Sequence, residues 1–133
     1  MPRYLLDTNL CICLIKNQPE RVARRFAECC VGDVVISAIT FAELAYGIAM
    51  SDNQEQGRID LASLVEDIPV ASFDSAAGRA CGPIRTTTRA SKKHHLDKLI
   101  AAHAVSLNVA LVTNNVKDFA RYPGVITENW LSP

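Results

Sequence analysis

Four carboxylates in this 133-residue chain stand where chemistry could be done: Asp7 in LLDTN, Glu43 in ITFAELAYG, Asp97 in HHLDKLIAAHA and Asp118 in LVTNNVKDF. Each follows an apolar segment that reads as a strand or lies near the start of one that reads as a helix. In an α/β sheet, ligands gather beyond the carboxyl ends of parallel strands, so one sheet edge is the expected meeting place of all four. Ionised acids crowded into a dry cleft repel strongly. A hard divalent cation relieves that repulsion. Mg²⁺ or Mn²⁺ takes oxygen ligands, keeps several waters and needs only one or two carboxylates directly. Such a site suits phosphodiester hydrolysis, in which the ion polarises the phosphoryl oxygen and lowers the pKa of an attacking water.

Each acid also has an ordinary structural role open to it. Asp7, followed by Thr8 and Asn9, could cap a helix. Thr40 and Glu43 have the T-x-x-E spacing of a capping box. Asp97 lies in the first turn of a helix, where an acid complements the dipole, and Asn115 precedes Asp118 by three as another cap pair. Their common placement, more than any one of them, points to a shared site.

The elements that must position them are read from apolar patterning. Strands are expected at Arg3 to Leu6, Val34 to Ser37, Pro69 to Ala71 and Ala110 to Thr113, with Val125 to Thr127 a weaker fifth. They are apolar on consecutive residues, as parallel strands covered on both faces are. Helices are expected at Asn9 to Lys16, Pro19 to Cys30, Phe41 to Ser51, Gln54 to Glu66, Ser75 to Arg89 and His95 to Leu107. Strand alternating with helix predicts a three-layer α/β/α sandwich around a mostly parallel sheet, in a single domain over residues 1–133.

Composition narrows the rest. With 49% apolar and 21% charged residues the chain is neither disordered nor low-complexity, and a net charge of zero removes any whole-molecule pull toward polyanions. Charge is nevertheless segregated. Residues 51–74 hold six acids and one base, and residues 79–98 hold six bases and one acid. In the basic stretch, Arg85, Arg89, Lys92 and Lys93 are candidates for contacting phosphates. No apolar run approaches the roughly 20 residues of a membrane span, and the acid in MPRYLLDTN argues against a signal peptide, so a cytoplasmic protein is expected. Five cysteines without paired CxxC spacing read as reduced, small hydrophobes. A zinc site from His94, His95 and His103 fails on distance, because eight helical residues separate the last two by about 12 Å. His103 is expected in the core or supporting the site, and Trp130 and Tyr122 are expected to be buried. Leu14, Ile15, Phe41, Leu44 and Tyr46 exceed what one sheet face needs and suggest a groove for a partner.

The segments LLDTNLCICLIKNQPE, ISAITFAELAYG and LDKLIAAHAVSLNVALVTNNVKDFARYPGVITENW together resemble the PIN-domain ribonucleases, specifically the VapC toxins of bacterial toxin–antitoxin pairs. The resemblance covers essentially the whole chain. It implies a PIN fold, a Mg²⁺- or Mn²⁺-dependent endoribonuclease, a cognate VapB-like antitoxin whose tail covers the acidic cleft, and a homodimer within a larger complex. It also implies roles: Asp7 and Asp97 as direct metal ligands, and Glu43 and Asp118 acting through water or a second ion. Thr8, Asn9, Thr113 and Asn115 then become polar supports of the carboxylates, and the products a 5′-phosphate and a 3′-hydroxyl. The substrate by analogy is structured RNA such as tRNA. Relatives commonly have a Gly- and Pro-containing turn before the third acid, where this chain has SKKHHLD. The competing expectation is a catalytically silent RNA- or protein-binding module on the same fold.

Overall fold

The computed structural model describes residues 1–90 and 94–132, so Lys92 and Lys93 lie outside the described residues. Five strands, β1 (Tyr4–Leu6), β2 (Val34–Ser37), β3 (Val70–Ala71), β4 (Ala110–Val112) and β5 (Thr127–Glu128), form one sheet in the order β3-β2-β1-β4-β5. Every pairing is parallel, with Leu6 beside Ile36 on one flank and Val112 on the other. The helices are α1 (Thr8–Lys16), α2 (Glu20–Ala27), α3 (Ala38–Ala49), α4 (Gln54–Asp67), α5 (Ser75–Thr87), α6 (His95–Leu107) and α7 (Val116–Phe119).

Consecutive apolar strand residues are explained by two cores. Tyr4, Leu6, Val34, Ile36 and Val112 face one side, where they meet Leu10 and Cys11 of α1, Val22 of α2 and Leu61 and Leu64 of α4. Leu5, Val35 and Leu111 face the other, against Ile84 of α5, Ile100 of α6 and Phe119 of α7. Each fully buried Leu or Ile contributes about 1.5–3 kcal/mol, so even three-residue strands are held firmly from both sides. The weaker fifth strand lies at Thr127–Glu128, starting two residues later than expected, and β3 departs from the expectation of two covered faces: Val70 is 38% exposed, because β3 lies at the sheet edge. Trp130 and Tyr122 are buried, and all five cysteines are free.

The chain runs from β1 outward to β2 and β3, then returns to β4 on the other side of β1. That reversal opens a crevice at the carboxyl ends of β1 and β4. The apolar surplus expected to form a partner groove is divided between the core and a pocket between α1, α3 and α4 that Ile15 and Leu44 line. Leu44 is buried, Leu14, Ile15 and Phe41 pack against the first core, and of the five only Tyr46, 68% exposed, faces solvent.

Candidate active site

Asp7 follows β1 and caps α1. Its Oδ1 accepts the Leu10 N–H at 3.1 Å, and its Oδ2 accepts the hydroxyl of Thr113, just past the neighbouring β4. The backbone bond from Asp7 N to Val112 O, at 3.0 Å, continues the β1–β4 ladder and aligns the two residues. Thr113 is buried and its Oγ1 also accepts the Asn115 N–H, at 2.9 Å. Asp7 thus caps a helix and is 6% exposed at the crevice, so the structural and chemical readings coexist in one residue. Burial is the main influence raising its pKa. The Thr113 and Leu10 bonds pull it back, the Asp97 charge pushes it further up, and the Asn9 N–H assists the anion. Asn9 itself is exposed and contributes through its backbone.

Glu43 lies on α3, which starts three residues earlier than expected. Ser37 caps it, its Oγ accepting the Ile39 N–H at 3.0 Å. The Thr40–Glu43 capping box therefore does not form. Thr40 is buried with its hydroxyl unpartnered, and Glu43 is left free to reach the crevice. There Thr8 Oγ1 donates to Glu43 Oε1 at 3.0 Å. Burial raises the Glu43 pKa, the Thr8 bond lowers it, and the charges of Asp97 and Asp7 raise it again.

Asp97 sits in the first turn of α6, partly buried. Burial raises its pKa, His94 lowers it, Asp118 raises it and Arg121 lowers it. His94 Nδ1 is 3.6 Å from Asp97 Oδ2, and His94 adopts the left-handed conformation with φ 64°. Asp118 is on α7, its Oδ2 accepting from Asn115 Nδ2 at 2.9 Å. Asn115 caps no backbone N–H through its side chain; the pair expected as a cap is instead a side-chain link. Arg121 was not singled out from sequence. It is exposed, its Nε donates to the Asp118 carbonyl at 3.0 Å, and its charge reaches Asp97. Its one available signal is that it stands three residues beyond Asp118, two residues past the end of α7.

The four acids therefore form a chain of mutual repulsion: Asp7 with Glu43, both with Asp97, and Asp97 with Asp118. Among the described residues, no basic side chain acts on Asp7 or Glu43. Among the described residues, no three His, Cys, Asp or Glu side chains converge tightly enough to ligate one ion together. One or two carboxylates with water completing the shell is how Mg²⁺ is ordinarily held, so this oxygen donor set fits Mg²⁺ or Mn²⁺. His103 is fully buried on α6, with Nδ1 2.7 Å from Ser37 Oγ, and Phe73 meets its ring edge-on. Burial lowers its pKa and favours the neutral ring. Arg85 lies on α5 and Arg89 just beyond its end, both exposed.

An all-parallel α/β/α sandwich with carboxylates gathered at a crevice beside its central strand defines a class of small acidic-site domains. The PIN-domain family model matches residues 4–125, and the chain belongs to that family, on its VapC branch. It is 37% identical to the tRNA(fMet)-specific endonuclease VapC of Shigella flexneri, over 98% of this chain and 99% of that one. It is 34% identical to ribonuclease VapC2 of Rickettsia felis, over 96% and 97%. Among solved structures it resembles DNA-bound VapBC of Salmonella typhimurium, with a TM-score of 0.89, 35% identity and coverage of 98% and 99%.

Proposed function

We propose that this protein is the toxin of a type II toxin–antitoxin pair, a Mg²⁺- or Mn²⁺-dependent endoribonuclease that acts in the cytoplasm on structured RNA, tRNA foremost. Asp7 carries the reading: a buried carboxylate locked by Thr113 and the Leu10 N–H, repelled by Asp97, with no cation acting on it among the described residues. The names of the Shigella and Rickettsia relatives support ribonuclease activity, and the former supports tRNA.

Asp7 and Asp97 would hold the ion, which when bound polarises the phosphoryl oxygen and eases deprotonation of an attacking water. Glu43 is placed to take that proton. Its raised pKa moves it toward the range where a general base works, and Thr8 holds Oε1, which leaves Oε2 to take the proton. Thr113 keeps the Asp7 carboxylate in one rotamer, a support that commonly matters 10–100-fold at metal sites, on the order of 1–3 kcal/mol. Asp118, held by Asn115, adds a place for a second ion or an oriented water, and Arg121 offsets charge building on the phosphate. Attack in line with the 3′-oxygen breaks the P–O3′ bond and leaves a 5′-phosphate and a 3′-hydroxyl.

The antitoxin's place is the apolar pocket of about 250 Å³ between α1, α3 and α4, which shares Thr8 and Glu43 with the cleft. Tyr46 and Met50, exposed on α3, extend the same helix face beyond Gly47. An amphipathic segment seated there brings a basic residue to Glu43, within a complex holding two toxin copies. The VapBC structures of the Salmonella and Rickettsia relatives support such a partner. Expression in bacteria of the wild-type chain and of Asp7→Asn, followed by sequencing of new RNA 5′-ends, tests the function. Growth arrest with discrete new 5′-phosphate ends is expected from the wild type alone. Equal arrest by both, or arrest without new ends, rejects it.

A further inference from the structure

The first turn of α6 divides two surfaces of opposite charge. Asp97 faces the acidic cleft, as its interactions with Asp7, Glu43 and Asp118 require. His95 and Lys98, which flank it about 100–200° around the helix, line a groove of about 810 Å³ between α6 and α5. The opposite wall carries Gly78, Gly82, Arg85 and Arg89, spaced to fall on one helical face. Space is open at both glycines, with no atom within 4 Å of where a Cβ would stand. Among the described residues, no carboxylate lines the groove.

Three arginines elsewhere, Arg3, Arg24 and Arg25, each lie within 4.0 Å of a carboxylate, on Asp33, Glu20 and Glu128 respectively. Among the described residues, Arg85 and Arg89 make no ion pair, although the adjoining sequence 51–74 is rich in acids. Lys98 is buried and donates to the Thr88 carbonyl at 3.2 Å, tying α6 to the end of α5 and fixing the groove's width. Two unneutralised guanidiniums over an open floor suit a phosphodiester backbone, whose oxygens match their planar forks. The scarcity of apolar anchors disfavours a peptide.

We propose that this groove carries the RNA backbone to the acidic cleft: the strand crosses the first turn of α6, and Arg85 and Arg89 each hold a phosphate on the far side of Asp97 from the scissile bond. The proposal rests on the nuclease reading of the cleft and adds the route of the substrate. It explains how a chain of zero net charge retains a polyanion beside four acids, by placing positive charge one helix away.

The test is anisotropy of a fluorescein-labelled RNA stem–loop binding the full chain in EDTA, so that affinity is read without turnover. Each phosphate contact of a single strand contributes about 0.7 to the slope of log K against log salt. Arg85→Gln with Arg89→Gln should therefore flatten the slope by about 1.4, and between 50 and 200 mM salt the wild type should lose about sevenfold more affinity than the variant. The double Lys variant should keep most of the slope, and Gly78→Glu, which sets a carboxylate on the open floor, should weaken binding. Saturating RNA should also slow alkylation of Cys81, on the groove wall, and spare that of exposed Cys30, read by peptide mass spectrometry. An unchanged slope overturns the proposal, as does an unprotected Cys81, equal competition by poly-glutamate, or a slope change that tracks a change in oligomeric state. Cleavage in Mg²⁺ separates the two readings. Loss of cleavage with intact slopes and protection sinks the nuclease and leaves the groove as an RNA site, whereas normal cleavage with coincident slopes sinks the groove alone.

Discussion

Tyr4 opens β1 and Asp7 follows its end, yet the polar groups around them obey opposite rules. Around Tyr4, Arg25 bonds the Tyr4 hydroxyl at 3.2 Å and Glu128 at 3.0 Å and lies over the Tyr4 and Trp130 rings, while Trp130 Nε1 donates to Glu128 at 2.9 Å. Every charge there has a counterpart. Around Asp7, carboxylates accumulate, and among the described residues only Asp97 has basic side chains, His94 and Arg121, acting on it. A balanced cluster holds the fold together; an unbalanced one leaves a repulsion that the proposed ion would relieve. The fold tolerates the second because rigid elements, β1, β4 and α6, impose it.

The contrast can be broken most forcefully at Asp7. Asp7→Asn still caps α1, so the chain should stay folded while RNA cleavage falls at least about 10³-fold, since the ion's contribution amounts to several kcal/mol. Comparable activity in wild type and variant, at equal thermal stability, removes the cleft's distinction from the Arg25 cluster. Thr113→Val leaves the acid but frees its rotamer, and should cost about 10–100-fold in cleavage and raise the Mg²⁺ concentration needed for half-activity.

A third comparison uses pH. Asp7, Glu43 and Asp97 all have pKa values raised by folding, so the native state binds protons more tightly than the unfolded chain. Their stabilising contribution is full below the unfolded carboxylate values and is lost as pH rises through the raised folded ones. Without divalent ions, the melting temperature should therefore rise as pH falls from neutral toward the upper carboxylate range. Mg²⁺ at neutral pH should recover part of that gain, and a metal-free melting temperature that falls throughout this range contradicts the account. At the balanced cluster, Arg25→Ala should lower stability by about 1–2 kcal/mol through lost ring and carboxylate contacts, with cleavage unchanged. The smallest effect is expected at His94. Glycine there removes a left-handed cost of about 1–2 kcal/mol but also the pairing with Asp97 and, being Gly, adds unfolded-state freedom, for a net gain under about 1 kcal/mol seen in denaturant melts.

Much of this arrangement could be read from the residues. Buried parallel strands print themselves as continuous apolar runs, so β1, β2 and β4 were recognisable within one residue at each end. The start of α3 was misplaced because Thr40 and Glu43 mimic a capping box, while the true cap, Ser37, lies inside an apolar run. Helix α7 is four residues long and too short for periodicity to register. The acids were found by their positions after strands or, for Asp97, at a helix start. Which carboxylates feel which, and that Asn115 serves Asp118 and not a backbone amide, depend on packing that no local pattern encodes. The apolar surplus on α1 and α3 serves two ends: helices flanking a sheet also pack on each other, which takes up part of Leu14, Ile15, Phe41 and Leu44, while Ile15 and Leu44 also line the pocket beside Glu43.

The contact between His103 and Ser37 lies beneath the cleft and out of reach of any substrate. Ser37 begins the helix that bears Glu43, and His103 stands on the one that bears Asp97, so this bond acts as a spacer bar between two reacting arms. Altering either partner would leave all four acids in the protein but slacken the calibration between them, and an injury to catalysis could thus originate in the dry interior.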